Sequence, residues 1–162
     1  MRVLGIDPGI ARLGWGVILE VSGEVKPIAY GCFTTDKRFQ DDQRLQKLFS
    51  QINKVIKKYQ PEVLAIEDLF FAANAKTALQ VGQARGIVLL AAALAGLKVN
   101  SYTPLKIKLS LVGYGRAEKY QVQQMVETLL RIKEKIKIDD TADALAVALT
   151  HCYLYKLEQK LK

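Results

Sequence analysis

The chain has 162 residues, half of them hydrophobic, which is the size of one ordinary domain able to bury a real core. Its formal charge of +8 favours a polyanionic partner, nucleic acid ahead of an anionic membrane surface. Two widely separated cysteines, Cys32 and Cys152, and a single histidine argue against a disulfide framework and a zinc site.

Residues 2–7 read as a buried strand entered at once, without the basic, apolar and small-residue regions of a signal peptide. Asp7-Pro8-Gly9 reads as a turn and 13–20 as a second strand in which Leu13, Trp15, Val17 and Leu19 share one face. A third strand is predicted over 25–35, completing an antiparallel meander, and a helix over 36–59 with Leu45, Leu48, Ile52, Val55 and Ile56 at helical spacing. Pro61 stops that helix before a strand at 62–67, placed parallel to the first.

Asn74 is positioned to cap a long helix over 75–97, and 99–102 is short enough for a fifth strand. The apolar stretch 87–97 falls short of the roughly 20 residues a bilayer needs, so no membrane span is expected, and the cytoplasm is the expected location. A helix over 104–111, a basic loop at 113–116, an amphipathic helix marked by Val122, Met125, Val126, Leu129 and Leu130, and a last helix from about Asp140 complete the chain. With no repeat, low-complexity tract or linker, residues 1–162 are expected to form a single α/β domain with a mixed sheet.

Four carboxylates stand out against the basic composition. Asp7 closes the apolar run Val3-Leu4-Gly5-Ile6, Glu67 closes Val63-Leu64-Ala65-Ile66, and Asp140 and Asp143 share one face at the start of the last helix. If the first and fourth strands are parallel neighbours, Asp7 and Glu67 emerge together at the carboxyl edge, where open α/β sheets place their sites. Each acid alone reads equally well as a cap or turn residue, or as an acid favoured by a helix N-terminus. Gathered together, they would repel severely unless divalent cations bound between them. Carboxylate ligands without cysteine and almost without histidine indicate a hard ion, Mg²⁺ with Mn²⁺ as a substitute.

Five segments in order, Gly5-Ile6-Asp7-Pro8-Gly9, Ala65-Ile66-Glu67, Gly82-Gln83-Ala84-Arg85-Gly86, Val112-Gly113-x-Gly115-x-Ala117-Glu118-Lys119 and Asp140-x-x-Asp143-Ala144-Leu145-Ala146, resemble the RuvC family of bacterial Holliday-junction resolvases. The resemblance spans nearly the whole chain. It implies an RNase H-like fold, a mixed five-stranded sheet flanked by helices, and a homodimer that nicks two symmetry-related strands of four-way junction DNA in recombination and repair. It also implies a branch-migration motor of the RuvA–RuvB type as partner, and Asp7, Glu67, Asp140 and Asp143 as the catalytic, metal-binding set. The chemistry expected of such a set is two-metal hydrolysis, with the ions about 3.5–4 Å apart, leaving a 5′-phosphate. Helix geometry would admit Asp139 as well as Asp140, and the motif spacing selects Asp140. Some relatives carry histidine there, so aspartate argues against a neutral histidine base in this chain.

Phe70 occupies the family's aromatic position, where it would stack on bases at the branch, while Phe71 reads as core. Among the basic residues that should border the acids, Lys76, Arg85, Lys106, Lys108, Arg116 and Lys119, the last-named and Lys108 match basic motif positions and are the expected phosphate contacts. The lysines of 131–137 read as a solvated connection. Ala78, Gly82 and Gly86 form a smooth helical stripe suited either to the protein's own sheet or, by the resemblance, to the dimer axis. Trp15 reads as core or interface and His151 as structural. The alternatives are an RNase H-type nuclease acting on RNA/DNA hybrids and a non-catalytic junction-binding protein. An actin-like nucleotide fold would need a second domain for which the chain is too short.

Overall fold

The computed structural model describes residues 1–68 and 75–160. Five strands, β1 (Arg2–Asp7), β2 (Arg12–Val21), β3 (Glu24–Thr34), β4 (Val63–Glu67) and β5 (Lys98–Tyr102), form one sheet in the order β3-β2-β1-β4-β5. The β1, β2 and β3 meander is antiparallel, and β4 and β5 return parallel to β1. The helices are α1 (Asp41–Tyr59), α2 (Ala75–Leu94), α3 (Pro104–Val112), α4 (Lys119–Leu129) and α5 (Asp139–Lys160). This is the mixed five-stranded α/β arrangement expected from the sequence.

Strand alternation divides the core into two layers. Leu4, Ile6, Leu13, Val17, Leu64 and Ile66 face α1 and α2, packing with Leu48, Ile52, Val88 and Ala91. Val3, Ile18 and Ala65 face α5, packing with Ala142, Leu145, Ala148 and Leu149. The α5 backbone lies unusually close to the sheet because glycines receive it: a Cβ on Gly5 would overlap the Ala144 carbonyl oxygen, and one on Gly14 would overlap that of Asp140. A Cβ on Gly16 would meet the Leu145 side chain instead, with Tyr30 Cβ at ordinary contact distance. The approach delivers the first turn of α5 to the carboxyl end of β1.

Trp15 points to the α1 side, stacked on Phe33 with ring centroids 5.6 Å apart and tilted against Tyr59. His151 is buried, with Nδ1 2.6 Å from the Tyr102 hydroxyl and its ring stacked on Tyr155. Both are structural within this chain.

Two helix limits differ from the sequence expectation. Helix α1 begins at Asp41 because the Asp36 carboxylate accepts from the Arg38 backbone N–H at 2.9 Å and from its Nε at 2.8 Å, closing a turn that helix geometry could not continue. Helix α2 stops at Leu94 because Gly96 adopts φ 68° and Leu97 N–H folds back to the Ala92 carbonyl at 2.9 Å. Its proposed cap, Asn74, lies outside the described residues.

By length and composition alone, Thr77–Leu94 is long and apolar enough to cross a membrane. Only 22% of that window is buried. Ala84, Val88, Ala91 and Ala92 are nevertheless buried against the rest of the protein, and Arg85 is bonded into the sheet edge. A helix anchored in this way is a face of the fold, with an apolar side left exposed.

The close approach of α5 makes a stability test. Gly5→Ala and Gly14→Ala place a methyl against helix backbone and are expected to cost about 1–3 kcal/mol or more, whereas Gly16→Ala meets a movable leucine and should cost less. Urea unfolding of the three variants checks the ranking.

Candidate active site

Asp7 is the last residue of β1 and pairs in register with Gly14 of β2, the glycine on which the Asp140 carbonyl rests. Glu67 ends β4, whose Ile66 pairs with Ile6, so the two strands present their final acids side by side. Asp140 and Asp143 enter from the first turns of α5. Ile138 supplies the carbonyl that accepts from Thr141 N–H at 3.1 Å, starting the helix where its free N–H groups favour negative charge. The four acids named from the sequence are therefore drawn to one end of the sheet.

Their electrostatics show how closely they sense one another. The Asp7 carboxyl is raised from an ordinary 3.8 to about 7, first by burial and then by the charges of Asp143, Asp140 and Glu67. Glu67 is raised by burial and by Asp143, and Asp143 is raised chiefly by burial. Asp139 does not figure among the charges acting on Asp7, and its side chain is 63% exposed against 22% for Asp140. This geometry supports Asp140 as the member of the set, in line with the motif spacing.

Cations partly offset the cluster. Lys119, at the start of α4, places Nζ 2.8 Å from an Asp143 oxygen and 3.8 Å from Asp139, so it sits among the acids. Arg12, the first residue of β2, has Nε 3.4 Å from Asp140 Oδ2 but off hydrogen-bond geometry. That oxygen is buried without a hydrogen-bond partner. Sequence reading missed Arg12, because only the β1–β2 register shows that it returns to the acids.

Glu67, Asp143, Lys108 and Lys119 line one cleft of about 250 Å³ together with Ile107, Val122 and Ala146. Lys108 is close enough to draw the Glu67 carboxyl downward against the effect of burial. Arg116 is exposed on the loop before α4. Lys106 lies over the Tyr102 ring, 5.5 Å from its centroid, and so is less free than its sequence suggested. Phe70 and Phe71 fall outside the described residues, as does the side chain of Lys76. Cys32, opposite Gly14 in register, also faces the acids, and burial followed by the Asp140 charge pushes its thiol upward, away from reactivity.

Among the described residues no three His, Cys, Asp or Glu side chains already form a closed metal cage. The donor set nevertheless fits a hard divalent cation: all four groups are carboxylates, three have raised pKa values, and Asp140 Oδ2 is buried and unsatisfied. A cation there would supply the charge that the fold itself provides only in part.

Known proteins bear on the same site. The family model described as "Crossover junction endodeoxyribonuclease RuvC" matches residues 3–151. The protein of that name from Caldanaerobacter subterraneus subsp. tengcongensis is 52% identical over 161 residues, covering 99% of this chain and 98% of its own. That from Desulforamulus reducens is 52% identical over 151 residues, 93% of each chain. The structure of Thermus thermophilus RuvC in complex with a Holliday junction substrate superposes with a TM-score of 0.92 at 35% identity, covering 98% of this chain and 96% of that one.

The raised Asp7 carboxyl has a signed consequence. Because the folded state holds this proton more tightly than the unfolded chain, the contribution to stability is full below pH 3.8 and is lost as pH rises through about 7. Without divalent cations, Asp7→Asn should therefore be more stable than the wild type at pH 8, by about 2–4 kcal/mol, and the difference should shrink toward pH 4. Urea unfolding in chelator at the two pH values reads it directly.

Proposed function

The chain belongs to the RuvC family of crossover junction endodeoxyribonucleases, and on that premise we propose that it resolves four-way DNA junctions in recombination and repair by paired, symmetric nicks. Residues 1–162 act in this reading as a single RNase H-like nuclease domain. The observation that carries it is the cluster of Asp7, Glu67, Asp140 and Asp143 at one end of the sheet of a chain with net charge +8.

In the proposed mechanism these four carboxylates hold Mg²⁺, two ions per site, with Mn²⁺ as a substitute. Such ions, when bound, lower the pKa of a water and neutralise charge developing on phosphate and leaving oxygen. The rest falls to the chain's own groups. Burial of Asp7 and Glu67 at the strand ends leaves carboxyls whose charged form is poorly solvated by water and would be stabilised by a cation. Lys108 and Lys119, lining the cleft beside Glu67 and Asp143, present ammonium groups to the scissile phosphate. Arg116 and Lys76 extend the basic surface along the DNA arms, and Phe70 stacks on bases unpaired at the branch.

Two nicks across one branch point call for two sites at a fixed separation, which a C2 dimer provides. Helix α2 supports this reading. Leu79, Leu90 and Leu94 are 65%, 52% and 71% exposed, and a Cβ on Gly86 would meet nothing within 4 Å. Packing on the protein's own sheet therefore does not account for Gly86, and the stripe that includes Gly82 suits a second copy of the helix. A branch-migration motor of the RuvA–RuvB type is the further partner expected in the cytoplasm.

The direct test incubates the protein with Mg²⁺ and a mobile four-way junction, a linear duplex or an RNA/DNA hybrid. Only the junction should be cut efficiently, and preferential cleavage of the hybrid would favour the RNase H-type alternative. Asp7→Asn, Glu67→Gln and Asp143→Asn should each lower cleavage by about 100-fold or more, corresponding to at least about 2.7 kcal/mol of barrier, with junction binding retained. Asp140→Asn should be far more damaging than Asp139→Asn, and equal losses would place the last motif one residue out.

Each ammonium contact to phosphate steepens the salt dependence of binding by about one unit of log-log slope. Lys108→Ala is accordingly expected to flatten that slope for junction binding without changing the melting temperature appreciably. A titration from low to moderate salt measures it.

A further inference from the structure

Helix α2 has two faces with different tasks. One carries Leu79, Gly86, Leu90 and Leu94 into solvent. One residue before Gly86, Arg85 turns inward, its side chain only 14% exposed. Its Nη1 donates to the Glu67 carbonyl oxygen, and its Nη2 donates to Ser101 Oγ at 2.8 Å and lies 3.5 Å from an Asp68 carboxylate oxygen. One planar guanidinium thus joins α2 to the ends of both β4 and β5.

The position of those contacts matters more than their number. Strand β4 is only five residues long, and its ladder with β5 reaches just past Glu67, where Asp68 N–H donates to the Tyr102 carbonyl at 2.9 Å. Strand ends fray unless something holds them. Catalytic carboxylates, in contrast, must be held to within about 0.5 Å. Arg85 grips the carbonyl of the very residue whose side chain enters the acid cluster. If its only task were to neutralise Asp68, the bonds to the Glu67 carbonyl and Ser101 would be unnecessary, and a buried charge would carry its desolvation cost for little return.

We infer that Arg85 is a positioning residue that transmits the seating of α2 against a second subunit to the placement of Glu67, so that the site is fully ordered only in the dimer. The inference rests on the dimer reading of the exposed α2 stripe. Adjacent residues on a helix lie about 100° apart, so a rotation or shift of α2 when its partner is lost moves the guanidinium together with Gly86. The fork is rigid, and the Glu67 backbone moves with it.

Hydrogen exchange at residues 65–68 tests this without DNA or metal, using the full-length wild type, Arg85→Gln, Gly86→Leu and the double variant, with sedimentation for oligomeric state. Arg85→Gln is expected to remain dimeric yet exchange about tenfold faster at these amides. Gly86→Leu is expected to become monomeric and show a similar acceleration. The double variant should exchange no faster than the quicker single variant, the non-additivity of two changes acting through one contact. Ser101→Ala, which removes one acceptor and leaves the charge in place, should give a smaller acceleration of the same sign and serves if Arg85→Gln does not fold.

On junction DNA, single-turnover nicking by Arg85→Gln should fall about tenfold while affinity measured in Ca²⁺ stays within about threefold, a loss in rate rather than binding. Unchanged exchange in both Arg85→Gln and Ser101→Ala would overturn the inference. So would a monomeric Gly86→Leu with wild-type exchange, a Gly86→Leu that remains dimeric, or simple multiplication of the two effects. Failure of the wild type to nick junctions would refute the proposed function while leaving the exchange result to stand by itself.

Discussion

The whole arrangement depends on how closely α5 can approach the sheet. Gly5 and Gly14 leave no room for a side chain between strand and helix. Through that contact the first turn of α5 brings Asp140 and Asp143 to the end of β1. Hydrophobic contacts behind it, from Ala142 through Leu145 to Leu149, supply the burial that holds the helix there. Carboxylates so gathered oppose their own assembly, and burial first, then the neighbouring charges, raises Asp7 to about 7. The apolar core of α5 therefore maintains an electrostatic arrangement that the acids alone would disperse, and the gap in charge is what a divalent cation answers.

Much of this was legible in the sequence because two periodicities were clean. Alternation in 2–7 and 62–67 placed Asp7 and Glu67 on one face, and the i, i+3 spacing of Asp140 and Asp143 placed them on one side of a helix. The order β3-β2-β1-β4 followed from the hairpin and the parallel return, whereas the place of β5 beside β4 was not read. Helix limits were read less well, since the start of α1 depends on a side-chain turn at Asp36 and the end of α2 on a backbone fold-back at Gly96.

Residues that act through tertiary register were not legible. Nothing local to Arg12 shows that it meets Asp140, and Arg85 looked like one of several edge cations until its contacts with Glu67 and Ser101 were seen. Lys119 was expected at phosphate and is found paired with Asp143. In each case the partner lies far away in sequence, and charge alone does not say which acid a cation will meet. The apolar character of α2 was legible, but which side of it stays uncovered was not, because every face of the helix carries aliphatic or small residues.

With its carboxyl raised to about 7, Asp7 shares a proton near neutral pH that a divalent cation entering the cluster must displace. Calorimetry of Mn²⁺ or Mg²⁺ binding in buffers of different ionisation enthalpy measures that displacement directly. At pH 7 the heat should depend on the buffer, corresponding to release of roughly half a proton or more per site, and the dependence should fade by pH 9. Binding heats independent of buffer at pH 7 would contradict it, because the acids would then already be fully ionised without the cation.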